Sequence, residues 1–572
     1  MKARVAAMSH AATDETVRPA LRGERDAASA VLRSELAAVA LILLGAALLF
    51  LVGLGQSTLW DQDEAKYTQI AREILQTRDP ITLHLNGAPW FVHPPLYLWL
   101  QAVTGWLFGF NEFTARVWSA IFGVLGVLAT IRLGRLLFTP RAGLLAGVVV
   151  MTTFQFFAQS RLAIFDGALV VLMLLAFEAF LRGLRTAEPH LIVWAGIWAG
   201  LGTLTKGPIA LLLPGMVAAA FLALRRPAVS WRRLPWMKAA AAYLLTAAPW
   251  YLVEWVRHGW PFIGQIIGYY TLTRFFGVVE EQSGPWWYYA PVFGLGTFPW
   301  TALFVAMLLY QVRRRAHDGS LLVVLWIGIT VVFFSLAGTK LPNYVLPVYP
   351  MAAVGIAAVW DRLFAGEGMA RRYVNAAFIF TVGAVALFAF EIAAFGRLVY
   401  PAEFAALQRH LFTVGIAVGG WLLFASALYA LRRPAESFAV LAATTVLLAG
   451  ALIGRTLPLV EAHRPIKTVA AALRPELQPG TALAAVNLTA QQTLLFYTDH
   501  RVLWVDDAEG LRPLLCRHRR IVIVARTNER DSVMRYLQFY VPAPLRVIVQ
   551  QGGLTAIRKE GEIGCRRRLP AL

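Results

Sequence analysis

Apolar stretches about as long as a bilayer is thick recur along this chain to about residue 454, and that recurrence limits the folds open to it. Each crossing takes about 20 apolar residues, and within lipid every backbone polar group must be satisfied internally. The 572 residues are 58% hydrophobic and only 15% charged, whereas soluble domains carry about 25% charged residues. The expected architecture is a polytopic α-helical membrane protein. A net charge of +20 does not point to nucleic acid. The basic residues form short clusters between apolar runs, not the continuous stripe that phosphate tracking needs.

Those clusters set the expected topology, because Lys and Arg stay on the cytoplasmic side. Arg22, Arg25 and Arg33 precede the first span, so residues 1–35 read as a cytoplasmic tail. The segment 94–110, "PPLYLWLQAVTGWLFGF", then decides the rest. Taken as a span, it puts every later basic cluster on the wrong side. Taken as a membrane-surface or shallow re-entrant element, it leaves Arg132/Arg135/Arg141, Arg182/Arg185, Arg225/Arg226/Arg232/Arg233, Arg313–Arg315, Arg371/Arg372 and Arg432/Arg433 inside. The second reading gives about 13 spans within 36–454: 36–54, 114–138, 142–158, 166–184, 190–205, 207–224, 238–254, 287–311, 320–336, 344–360, 373–395, 411–431 and 436–454. The outer face then collects the first loop 55–113, the turn around Asp166, the loop 255–286 and everything after about 455. In 455–572 the pattern changes to short β-strands with helical segments near 466–475 and 528–540. This is a small α/β domain outside the membrane. Its Cys516 and Cys565 are free to pair in an oxidising compartment, although spacing alone does not show that they meet.

Within the first outer loop, "WDQDEAKYTQIAREIL" presents Asp61, Asp63 and Glu64 and then an apolar stripe at Tyr67, Ile70, Ala71, Ile74 and Leu75. The stripe predicts a helix lying on the membrane surface. Asp61 and Glu64 have capping-box spacing, which accounts for one or two acids but not three. Asp166, in "QSRLAIFDGALVV", is either an N-cap or a partner of Asp63 on the same face. His93, Lys206, Arg274 and Lys340 bring positive charge to that outer face. Each alone fits snorkelling to headgroups; together with two carboxylates they point to an anionic ligand. Tyr67, Trp90, Tyr97, Trp286, Trp287 and Tyr344 offer stacking surfaces for sugars, as interface belts also would.

The Asp-Glu pair, followed in order by "HPPLYLWL", "FDGALV", "TKGP" and "KLPNY", resembles the protein O-mannosyltransferase-like superfamily of C-class glycosyltransferases. Within it, the sequence is most similar to bacterial undecaprenyl-phosphate aminoarabinose:lipid A transferases. The resemblance implies an inner-membrane enzyme with a periplasmic active site and a periplasmic α/β domain. It implies a polyprenyl-phosphate-linked sugar donor, with 4-amino-4-deoxy-L-arabinose as the candidate sugar, and lipid A or another envelope glycan as acceptor. Asp63 and Asp166 become the paired acids of the catalytic cavity, with Glu64 as a further catalytic carboxylate. Lys66, Tyr67, His93, Lys206, Arg274, Lys340 and Tyr344 become substrate-binding residues. One departure is visible: the aminoarabinose branch tends to carry Glu-Lys where this chain has Val92-His93, and a largely neutral histidine is a weaker phosphate anchor than lysine. No cofactor is firmly implied, and the scattered acids and histidines do not form a metal ligand set. Neither a Walker loop nor a Rossmann fingerprint is present, so the donor is expected to be lipid-linked. Competing readings are a flippase of lipid-linked sugars, which needs charge near the bilayer midplane, and the same chemistry on a protein or O-antigen acceptor.

Overall fold

The computed structural model describes residues 32–61, 63–186, 188–225, 234–279, 282–395, 405–488, 491–540 and 545–560. The expected N-terminal tail, part of the cluster Arg225/Arg226/Arg232/Arg233, and Cys565 lie largely or wholly outside the described residues.

The first apolar run forms helix α1 (Leu32–Leu51). After it come α2 (Asp63–Thr77), a two-residue hairpin of β1 (His84–Leu85) and β2 (Ala88–Pro89), and α3 (Leu96–Phe108). At 13 residues α3 is about 20 Å long, short of the roughly 30 Å hydrocarbon core, as expected for a segment that does not cross. The next helices are α4 (Glu112–Leu137), α5 (Pro140–Met151), α6 (Phe154–Gln159), α7 (Asp166–Thr186), α8 (Pro189–Lys206), α9 (Ile209–Leu224) and α10 (Trp236–His258).

By length and composition, 6 helices among the described residues are able to cross a membrane, or up to 8 if each of two bent pairs is one span. The other expected spans correspond to shorter, interrupted or more polar helices. The expected span 142–158 is split between α5 and α6 by Thr152 and Thr153, whose hydroxyls turn back onto Val148 and Val149 carbonyls. The expected span 287–311 is two helices, Tyr289–Gly296 and Thr301–Arg313, bent by 114° across a turn that carries Pro299. Apolar patterning reports burial in lipid or protein, and a broken helix satisfies it as well as a continuous one.

The main apolar cluster of the bundle includes most of Val348–Phe364, a helix that buries residues around its whole circumference. Trp326 and Trp360 are fully enclosed there, and the Trp326 indole donates to the Pro347 carbonyl at 2.8 Å. The α4–α5 pair closes through small residues: a Cβ on Gly134 would meet the Gly143 Cα at 2.8 Å, so glycine sets the approach of the two backbones.

The two ends of this bundle differ. α7 runs from Asp166 to Thr186, with Arg185 in its last turn, and its 21 residues span about 30 Å. At the Arg185 end lie the pairs Arg132–Glu178 at 2.9 Å, Arg135–Glu35 at 2.8 Å, Arg141–Asp361 at 2.5 Å, Arg225–Asp318 at 2.9 Å and Arg314–Glu367 at 3.0 Å. At the Asp166 end sit α2, the β1–β2 hairpin and the C-terminal strands.

Those strands form one five-stranded sheet of order β4-β3-β5-β7-β6: β3 (Thr481–Val486), β4 (Val502–Val505), β5 (Arg520–Arg526), β6 (Leu545–Gln551) and β7 (Leu554–Glu560). β3 pairs in parallel with β4 and β5, and β7 pairs antiparallel with β5 and β6. Gly552 and Gly553, both at positive φ, make the tight β6–β7 turn. The sheet unit is stitched to the first loop. Tyr497 accepts from the Leu59 amide and donates to Glu112, each at 2.8 Å. Arg72 donates to the Phe496 carbonyl at 2.7 Å, and the Asn86 side chain bonds both the amide and the carbonyl of Val502.

Candidate active site

Between α2, the α6–α7 turn, α8–α10 and the segment 263–276 lies a cavity of about 1090 Å³. Asp63, Glu64, Lys66, Tyr67, His93, Asp166, Lys206, Arg274 and Tyr344 all line it. Lys340 does not: its buried ammonium donates to the Ala337 carbonyl at 2.8 Å, behind the wall rather than facing the space.

The acidic stretch divides into three fates. Asp61 accepts from the Thr493 amide at 3.1 Å and from the Thr493 hydroxyl, so it ties the loop to the C-terminal unit instead of forming the capping box with Glu64. Glu64 is 2% exposed; its oxygens take Arg116 Nε at 2.8 Å and Nη2 at 2.7 Å, the Ala163 amide at 2.6 Å and the Trp60 amide at 2.9 Å. Arg116 spends its remaining donors on the carbonyls of Leu54, Ser57 and Thr58. This fork-to-fork pair binds α2, α4, the end of α1 and the α6–α7 turn together, so Glu64 has a clamping geometry rather than a free carboxylate. Asp63 alone is exposed to the cavity. The Tyr67 hydroxyl lies against it, and burial, then Asp63 and Asp166, raises the phenol pKa well above its usual value. Tyr67 is therefore a hydrogen-bond donor at neutral pH.

Asp166 begins α7, and Lys206 ends α8, just before Gly207 at φ 90°. Their side chains meet at 2.5 Å. The Lys206 ammonium also sits 5.2 Å from the Phe165 ring centre and 5.4 Å from that of Tyr344, where aromatic faces favour a cation. Arg274 donates to the Tyr344 hydroxyl and to Gln282 Oε1, both at 2.8 Å. Lys66 completes the basic wall.

His93 stands in an aromatic cage, 4.6 Å from Phe165, 5.9 Å from Trp90 and 6.3 Å from Tyr67 by ring centres. Burial, then the charges of Lys206, Arg274 and Lys66, holds its pKa well below the ordinary value. It meets a ligand as a neutral ring. Of the candidate stacking residues, Tyr67, Trp90 and Tyr344 line the cavity. Tyr97 is fully buried, with its hydroxyl 2.6 Å from that of Ser119. Trp286 and Trp287 are outside the cavity lining and exposed, as interface anchors are.

The rest of the cavity is an apolar channel built largely from α10 and the segments after it, including Leu244, Ala248, Tyr251, Ile267, Phe276 and Phe334. Charge at one end and a long greasy wall behind it suit an amphiphile with an anionic head. Among the described residues no three His, Cys, Asp or Glu side chains group as metal ligands would. Sequence reasoning missed Arg116 and Gln282. Arg116 sits in the first turns of an apolar span, where a lone arginine marks a buried partner; for Gln282 no signal existed.

The family described as dolichyl-phosphate-mannose-protein mannosyltransferase matches residues 92–253. An undecaprenyl phosphate-alpha-4-amino-4-deoxy-L-arabinose arabinosyl transferase of Pseudomonas aeruginosa (strain LESB58) is 31% identical over 420 residues, 72% of this chain and 74% of the relative. One of the same name from Edwardsiella ictaluri is 29% identical over 477 residues, 81% of this chain and 84% of the relative. The crystal structure of ArnT from Cupriavidus metallidurans bound to undecaprenyl phosphate shares the fold, with a TM-score of 0.78 at 23% identity over 91% of this chain and 97% of that one. The chain belongs to the family of undecaprenyl phosphate-aminoarabinose arabinosyl transferases, within the C-class glycosyltransferases.

Proposed function

We propose that this chain moves a sugar, 4-amino-4-deoxy-L-arabinose, from undecaprenyl phosphate to lipid A or a related envelope glycan at the periplasmic face of the inner membrane. The names of the relatives support the donor and the sugar. The observation that carries the reading is the convergence of Asp63 and Asp166 with Lys66, Lys206 and Arg274 at the head of one apolar channel. Charge supports the periplasmic placement: the arginine clusters gather at the far end of α7, and Lys and Arg favour the cytoplasmic side. On that topology residues 36–454 form the transmembrane domain of about 13 crossings, broken helices included, and residues 455–572 form the periplasmic domain.

In the reaction the bond between the anomeric carbon and the carrier's phosphate oxygen breaks, and the polyprenyl phosphate leaves with the electron pair. Lys206 and Arg274 hold that phosphate and neutralise its developing charge. Asp166 positions Lys206 for this role. The anomeric centre passes through an oxocarbenium-like state, stabilised by the nearby carboxylate of Asp63. An acceptor oxygen forms the new bond. If it is a hydroxyl, its proton goes to Asp63 as general base; if it is a phosphate oxygen, it is already ionised, and Asp63 orients it together with Tyr67. Glu64 acts through Arg116 as a positioning residue. The test is mass spectrometry of lipid A from cells with and without the gene. The aminoarabinose mass increment should depend on the gene; an unchanged lipid A spectrum would overturn this acceptor.

A further inference from the structure

A second cavity, of about 330 Å³, lies where the C-terminal unit meets the first loop. It is walled by Arg72 of α2, Glu112 at the start of α4, Lys467, Arg474, Phe110 and Phe496. Arg72 and Asp63 are nine positions apart on one helix, so they point to opposite sides of α2 with about 13 Å of axial separation. The two cavities are therefore distinct.

Three cations face one carboxylate in this wall. Glu112 is taken by Lys467 and by the Tyr497 hydroxyl. Arg72 is sandwiched between Phe496 at 4.2 Å and Phe110 at 5.3 Å, and its side chain is 13% exposed. Its carboxylate neighbour, Asp499, lies outside the cavity lining at 3.3 Å. Arg474 donates to the Tyr497 carbonyl at 3.1 Å. Burial lowers the Arg72 pKa, Asp499 opposes the fall, and the charge of Arg474 adds a smaller push; an anion between the two guanidinium groups would relieve that push. Phe110 of the cavity lining packs against Gly105 of α3, and the last turns of that helix turn Val103, Trp106 and Leu107 outward at i, i+3 and i+4, with Phe108 next to them; Trp106 and Phe108 are each 72% exposed. An apolar helix face next to a basic pocket is what a lipid with a charged head requires.

We propose that this cavity binds the phosphate of an anionic membrane lipid, whose acyl chains lie along the outward face of α3. The site clamps the C-terminal unit to the membrane surface and does not depend on the transfer reaction proposed above. The test uses the purified full-length chain and native mass spectrometry with phosphatidylglycerol or phosphatidylcholine of matched acyl chains. Wild type should retain phosphatidylglycerol preferentially. Arg474→Gln should lower that retention on the order of tenfold, the worth of one charge-assisted hydrogen bond, and Trp106→Asn should lower it too. Inorganic phosphate at equal concentration should not displace the lipid. Equal retention of the two lipids by wild type, or unchanged retention in Arg474→Gln, would overturn the site; full displacement by inorganic phosphate would make it a free-anion pocket and overturn the lipid assignment.

Discussion

The two ends of the helical bundle are both rich in paired charge, but only one of them places charge around a cavity. At the Arg185 end the charges answer one another: Arg132, Arg135, Arg141, Arg225 and Arg314 each meet a carboxylate, and none of them lines the large cavity. At the Asp166 end Lys66, Lys206 and Arg274 line a hollow: Lys206 is paired with Asp166 at its wall, and Arg274 reaches the Tyr344 hydroxyl and Gln282. Charges that satisfy one another fix orientation and packing. Charges that line a cavity are placed to meet a ligand as well as one another.

This contrast breaks most sharply at Asp63. Asp63→Asn keeps the shape of the site and removes its free carboxylate, so transfer should fall about 10²–10⁴-fold, measured as initial rate on protein with an unchanged thermal midpoint. The next largest effect is on stability. Arg116→Met leaves Glu64 charged and buried, which costs about 3–5 kcal/mol; chemical denaturation of the helical domain reads this, and a wild-type midpoint would contradict the clamp. Lys206→Met should lower transfer roughly 10²-fold, as the loss of one donor to developing negative charge does, mainly in kcat. A smaller effect follows from His93. Its folded pKa lies below the unfolded value of about 6.5, so the unfolded chain binds the extra proton and stability falls as pH drops below about 6.5. His93→Gln should flatten that part of the pH dependence between pH 5 and 7.5 and leave it unchanged above. Smallest of all, Arg225→Gln at the opposite end breaks a half-exposed pair and should cost less than about 1 kcal/mol, with the transfer rate intact.

Much of this was legible in residue order. Apolar runs located the helices, and the basic clusters sorted one end of the bundle from the other. "FDGALV", "TKGP" and "KLPNY" placed Asp166, Lys206 and Tyr344 at the ends of elements, where they meet. The alternation of short strands located the C-terminal sheet, though not its mixed strand order, because pairing across the sheet leaves no local signal. Three features escaped for physical reasons. The breaks at Thr152–Thr153 and around Pro299 are invisible to hydropathy, since both halves remain apolar. Glu64 looked like a further catalytic acid beside Asp63 and Asp166 because its partner, Arg116, is 52 residues away in sequence. Lys340 shares a motif with Tyr344, yet its ammonium turns back onto the carbonyl of Ala337, three residues earlier.

The central claim is that one cavity receives a polyprenyl-phosphate sugar and that Asp63 is its free acid. The direct measurement is transfer of label from radiolabelled undecaprenyl-phosphate-aminoarabinose to lipid A by purified wild type and Asp63→Asn in matched detergent. The account predicts labelled product from the first and at most about one hundredth of that rate from the second, with both proteins folded. Equal rates from the two would contradict it.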